Sequence, residues 1–158
     1  RQSARSASAR LQFARIAFGA AGSAGMLIDT GDAEAVAIAF LKNEKPELTW
    51  NGPRALLPKN KVKLLLNLIL VANAAIPRGG KLSVTLENLE TEPRFALASA
   101  GPMLRVPPKF LELHSGHKPE EPIDAHSVQP YYTFFFSSRR RHTISIHATP
   151  EEIVLSAA

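Results

Sequence analysis

Two apolar strips run along residues 1–20 at the spacings of three and four that one side of a helix requires. The first strip consists of Ala7, Leu11, Ala14 and Phe18. The second strip lies beside it and consists of Phe13, Ile16, Ala17 and Ala20. An apolar surface this wide is typical of a bundle helix with partners on two sides. We therefore predict a helix that ends at the glycines near residue 20.

The same periodicity predicts two further helices. Residues 33–43 follow the segment DTGD at 29–32, whose side chains can cap a helix. Residues 59–76 show the strongest helical pattern, and the segment PRGG at 77–80 ends it. The apolar face of this helix is predicted to contain Val62, Leu65, Leu66, Ile69, Leu70 and Asn73.

Alternating apolar and polar residues predict the strands. Residues 81–87 and 94–100 are joined by a proline-containing turn, and residues 47–51 form a shorter candidate. A terminal hairpin is predicted from residues 143–147 and 153–158. Two weaker helices are expected at 107–113 and 128–140. This order predicts an α+β fold, in which a helical arm is attached to a two-layer α/β sandwich with a mixed sheet.

Composition excludes several classes of protein. The chain has 158 residues and no cysteine, which rules out disulfides and thiolate metal sites and fits a cytoplasmic protein. No apolar run approaches the ~20 residues of a membrane helix, so we expect no membrane partner. The net charge is +5, but Arg139, Arg140 and Arg141 supply three of these charges. The basicity is therefore weak evidence for a nucleic-acid partner.

Three polar features invite a chemical interpretation. His114, His117 and His126 could bind zinc, but a solvated loop explains their loose spacing better, and we predict no metal site. The segment PRGGK at 77–81 could hold a phosphate, yet it follows a helix C-terminus, where the dipole disfavours anions. Asn67 and Asn73 lie inside an apolar helix and are either satisfied core amides or the remnant of a nucleotide-binding helix.

One long segment carries a family resemblance. LLLNLILVANAAIPRGGKLSV, residues 64–84, resembles the N-box helix and following strand of histidine-kinase ATPase domains, the GHKL or Bergerat fold. Within that superfamily the chain is similar to the ChpT-type histidine phosphotransferases of alphaproteobacteria. Other similar segments are SARLQFARIAFGAAG, IDTGDAE, LRVPPKF and VQPYYT. The resemblance covers the chain from Arg1 to Ala158 except residues 134–143.

The resemblance implies a domain organisation and a phosphorelay function. Residues 1–25 would be the second helix of a dimerisation hairpin, and residues 26–158 would be a degenerate ATPase-like domain. The family relays phosphoryl groups between the receiver domain of a hybrid histidine kinase and the receiver domains of response regulators, as a homodimer. The helix residues expected to form dimer or docking contacts, or simple bundle packing, are Arg10, Phe13, Ala14, Ala17 and Phe18.

The resemblance also implies that the nucleotide site has degenerated, so that no cofactor is expected. Asn73 matches the N-box asparagine, but Ile69 occupies the polar position one turn earlier. The adenine-binding pattern D-x-G-x-G falls on residues 99–103, where Ser99 replaces the aspartate, Gly101 is kept and Met103 replaces the second glycine. The methionine would occupy the space for the base.

The phospho-accepting histidine of the family lies in a His-Asp motif on the first hairpin helix. None of the five histidines here is followed by an acidic residue, so we expect the acceptor helix to precede Arg1 and this polypeptide to be inactive alone. Two alternatives stay open at this point. The chain could be a working ATP-binding domain, or a basic nucleic-acid-binding module that retains DNA in a salt-dependent manner.

The ten residues FFFSSRRRHT, 134–143, disagree with their predicted helix. The three phenylalanines point to different faces, and three consecutive arginines surround the axis with like charge. These residues also match one reading frame of a common sequencing-library adapter. We hypothesise that the adapter overwrote a native helix in the sequencing read.

Resequencing the locus from an independent library tests this hypothesis. We expect the ten codons to be replaced by a sequence with helical periodicity, because the flanking segments fit the fold. Recovery of the same ten codons would show that the segment is native.

Overall fold

The computed structural model describes residues 2–18, 27–42, 44–105 and 144–157. The helices are α1 (Gln2–Phe18), α2 (Thr30–Leu41) and α3 (Lys59–Ala74). The strands are β1 (Leu27–Asp29), β2 (Pro46–Asn51), β3 (Leu56–Pro58), β4 (Gly80–Glu87), β5 (Arg94–Ala100), β6 (Ile144–Ala148) and β7 (Ile153–Ala157). The helices predicted at 107–113 and 128–140, the three loop histidines and residues 134–143 lie outside the described residues.

Five strands form a mixed sheet in the order β2-β4-β5-β7-β6. Strand β2 pairs parallel to β4, and α3 lies between these two strands in sequence, as a parallel crossover requires. The other neighbours are antiparallel. Period-2 alternation places one set of side chains in the core, including Leu82, Val84 and Leu97. The predicted α+β fold with a mixed sheet is confirmed.

Helix α3 is buried on all its sides. Every residue from Val62 to Ala72 is buried, including residues that point away from the predicted apolar face, such as Leu64, Leu68 and Val71. The prediction of a single apolar face was therefore too narrow. The reason is that α3 contacts β4, β5 and β7 of the sheet and also contacts both other helices.

The structure contains a second, two-stranded sheet that was not predicted. Strands β1 and β3 pair antiparallel, with Ile28 opposite Leu57. Helix α2 starts at Thr30 rather than at residue 33, because the Asp29 carboxylate accepts a hydrogen bond from the Gly31 N–H at 2.7 Å and so caps the helix. The Arg54 Nε–H also donates to the Asp29 carboxylate at 2.9 Å. The bond from Gly31 and the bond from Arg54 together hold the pKa of Asp29 below its usual value.

The segment PRGG lies in the turn from α3 to β4, as predicted for the segment that ends the helix. Gly79 and Gly80 have φ angles of 86° and 136°, which L-residues with a side chain rarely adopt. A side chain on Gly80 would also collide with the Ala100 carbonyl of the neighbouring strand. Within the described residues, no helix combines the length and apolar character needed to cross a membrane.

Candidate functional site

One of the two apolar strips of α1 packs inside the chain. Phe13 is 1% exposed and Ala17 is fully buried, and both belong to one hydrophobic cluster with residues of α2, α3 and the sheet. The Phe13 ring stacks on Phe40 of α2, with ring centroids 4.5 Å apart. Phe13 and Ala17 therefore have almost no surface left to offer a partner.

The other strip of α1 lies at the surface. Leu11 is 57% exposed, Ala7 is exposed and Ala14 is half-buried. Phe18 is the last residue of α1, and its side chain lies outside the described residues. Arg10 is also exposed and forms an ion pair of 3.2 Å with Glu44, just after α2. Helix α1 thus has one inner strip held by its own chain and one outer strip available for contact.

A buried amide on α3 is hydrogen-bonded to α1. Asn67 of α3 is fully buried, and its Nδ2 donates to the Ala17 carbonyl of α1 at 3.1 Å. The same nitrogen donates to the Lys63 carbonyl one turn earlier at 2.8 Å. Asn67 Oδ1 is buried without a hydrogen-bond partner. Of the two interpretations of this residue, the geometry supports a core amide, but one that is only half satisfied.

The residues that match the nucleotide motif converge at the C-terminal end of α3. Ser99 Oγ donates to the Ala72 carbonyl at 2.9 Å, and Ser99 is 1% exposed. The Arg105 N–H donates to the Ala75 carbonyl at 2.8 Å. The last carbonyls of a helix need such external donors. The strand β5 and the turn that follows it therefore close over the end of α3.

Gly101 is held in this junction by a close backbone approach. A side chain on Gly101 would collide with the Gly79 carbonyl and would also meet Ile76. Met103 lies two residues further along at the surface and is 41% exposed, so it does not fill a buried cavity. Asn73 is half-buried in the last turn of α3.

This arrangement contrasts with what adenine binding needs. An aspartate at position 99 would accept a hydrogen bond from the adenine amino group, whereas the Ser99 hydroxyl already donates to a helix carbonyl. Among the described residues, no group of three or more His, Cys, Asp or Glu residues could hold a metal ion. The contacts of Phe40, Glu44 and Asn67 with α1 were not predicted, because they join positions far apart in sequence.

Comparisons with known proteins agree with this geometry. The family model for the histidine phosphotransferase C-terminal domain matches residues 30–152. Protein phosphotransferase ChpT of Brucella abortus is 69% identical over 157 residues, which is 99% of this chain and 75% of that protein.

Solved structures show the same fold. A bacterial phosphotransferase solved at 1.7 Å superimposes with a TM-score of 0.92 at 67% identity, over 99% of this chain and 75% of that one. The histidine kinase AdeS of Acinetobacter baumannii shares the fold at a TM-score of 0.56 and 11% identity, over 96% of this chain and 74% of that one. The similarity to the kinase is limited to the fold. The family model and the 69% identity, in contrast, identify the histidine phosphotransferase family. The chain therefore belongs to the histidine phosphotransferase family and acts in a phosphorelay.

Proposed function

We propose that this protein relays phosphoryl groups from the receiver domain of a hybrid histidine kinase to response regulators, as a cytoplasmic homodimer built through its helical arm. The observation that carries the proposal is that the two apolar strips of α1 differ in exposure: one is buried in the chain's own core and the other is at the surface. Its inner strip, with Phe13 and Ala17, is fully used by the chain itself, while Leu11 on its outer strip stays 57% exposed. A helix with this difference in exposure suits a bundle that is anchored to a sandwich domain.

Such a relay requires few reacting groups from the phosphotransferase. A neutral imidazole nitrogen attacks the phosphorus of the receiver's aspartyl phosphate, the P–N bond forms, and the P–O bond to the aspartate breaks as the carboxylate leaves. The reverse reaction delivers the phosphoryl group to a second receiver. The phosphotransferase contributes the histidine and a docking surface, so its contribution to the rate is mainly one of positioning.

The sandwich domain has a supporting part in this proposal. Ser99, which occupies the place of the adenine-binding aspartate, donates to α3 instead, and Gly101 is packed against the turn before β4. We assign the sandwich to holding the arm rather than to binding ATP. Arg10 lies on α1, is exposed and is paired with Glu44, and we propose it as a docking contact for a receiver.

A phosphotransfer assay tests the proposed function. A receiver domain labelled with a radioactive phosphoryl group is mixed with the protein, once as these 158 residues and once with the reading frame extended to include the hairpin's first helix. Label is expected only on the extended protein, in a linkage that is stable to alkali and labile to acid, as phosphohistidine is. The absence of label on the extended protein would exclude the proposal.

Dimerisation through the outer strip is tested by Leu11→Glu, with Gln12→Glu as the control. Both positions are exposed on α1, and both changes add one negative charge, but only Leu11 belongs to the outer strip. We expect Leu11→Glu in the extended protein to shift the equilibrium toward monomer, because it places a charge in an apolar contact. Gln12→Glu should stay dimeric. Light scattering gives the mass of each, and equal dimerisation of both variants would contradict the proposed interface.

A further inference from the structure

We infer that Asn67 is a positioning residue that fixes where helix α1 sits along the sandwich. Its Nδ2 donates to the Ala17 carbonyl, fifty positions away in sequence and on a different helix. Both ends of this bond are in fully buried residues, so water does not compete for it. The bond therefore ties one carbonyl of α1, and no other, to one point of α3.

Stability does not explain an amide at this position. Asn67 lies between Leu66 and Leu68, which are both fully buried, and its Oδ1 has no hydrogen-bond partner. An apolar side chain here would remove the uncompensated oxygen, but it would also leave the buried Ala17 carbonyl in the last turn of α1 without this donor, so the two effects on stability oppose each other. An amide in such a place is expected to contribute specificity, as a buried asparagine does when it sets the register of a coiled coil.

The other contacts that hold α1 are less directional. The Phe13 and Phe40 rings stack at 4.5 Å, and stacked rings tolerate sliding. The ion pair of Arg10 with Glu44 is exposed on the arginine side, at 60%, and such pairs hold position weakly. A shift of α1 along its axis by the rise of one residue, about 1.5 Å, without rotation would keep Phe13 in the hydrophobic core. Of the contacts described here, the Asn67 bond is the one that such a shift would disturb most directly, because a hydrogen bond depends on both distance and angle.

The consequence for phosphotransfer rests on the proposed function. If α1 is the second helix of the hairpin, then its position on the sandwich also sets the position of the neighbouring helix that carries the acceptor. The sandwich would thus orient the arm through Asn67 without any nucleotide. This is a role for the domain that differs from catalysis, and it predicts that loss of the amide affects the position of α1 more than it affects stability.

The test combines Asn67→Leu with a distance measurement between the arm and the sandwich. The chain contains no cysteine, so spin labels can be placed at Gln12→Cys on α1 and Glu92→Cys in the turn between β4 and β5, both of which are exposed. Labelled protein is diluted into unlabelled protein so that only distances within one chain contribute. Pulsed electron paramagnetic resonance then gives the distance distribution, and thermal unfolding gives the stability of the same samples.

We expect Asn67→Leu to broaden the distance distribution or shift it by about 1.5 Å, with an unfolding temperature close to that of the parent, because the apolar burial of leucine offsets the lost hydrogen bond to the Ala17 carbonyl. Ser99→Ala is the matched control, because it removes a buried hydrogen bond within the sandwich that does not involve α1. It should lower the unfolding temperature and leave the distance unchanged.

An unchanged, narrow distribution in Asn67→Leu would overturn the inference. If leucine cannot be accommodated, Asn67→Ala carries the test, because it removes the amide without adding volume, and its distance distribution is judged by the same criterion. This experiment needs neither a receiver nor an acceptor histidine. A negative result therefore counts against Asn67 alone, whereas failed phosphotransfer counts against the proposed function.

Discussion

Burial of helix α3 on all its sides is the constraint on which the other contacts of this protein depend. The sheet covers one side through β4, β5 and β7, and helices α1 and α2 cover the other. A helix with leucine, isoleucine and valine around its whole circumference is stable only when both layers are present. The hydrophobic cluster accordingly runs without a break from Phe13 on α1 to Leu97 in the sheet. The arm and the sandwich are held together by this shared core.

Three hydrogen bonds at α3 and its C-cap residue then join the helix to the neighbouring layers. Toward the arm, Asn67 binds the Ala17 carbonyl. Toward the sheet, the Ala72 carbonyl accepts the Ser99 hydroxyl, and the Ala75 carbonyl accepts the Arg105 N–H. The second group includes Ser99, which the motif resemblance aligns with the adenine-binding aspartate of kinase domains. We propose that groups once available to a ligand now complete the end of a structural helix, which is consistent with a scaffold that needs no nucleotide.

Much of this organisation follows from local pattern. Helix α3 and strands β4 and β5 were predicted within two residues at each end, because their periodicity is uninterrupted over seven or more residues. Strands β1 and β3 were missed, since three residues are too few to show alternation. The two strips of α1 were visible in the sequence, but which strip faces the chain's own core was not. That choice depends on Phe40 and Asn67, whose proximity to α1 exists only in the folded chain.

The central claim of this account is that the sandwich is a scaffold and not a nucleotide-binding domain. Thermal unfolding in Mg-ATP, compared with thermal unfolding in an ATP-free buffer of the same Mg²⁺ concentration and ionic strength, tests this claim most directly. A ligand present at a hundred times its dissociation constant stabilises a protein by about 2.7 kcal/mol, which is readily detected. The account predicts the same unfolding temperature with and without millimolar Mg-ATP. A saturable rise in unfolding temperature with increasing ATP would contradict it.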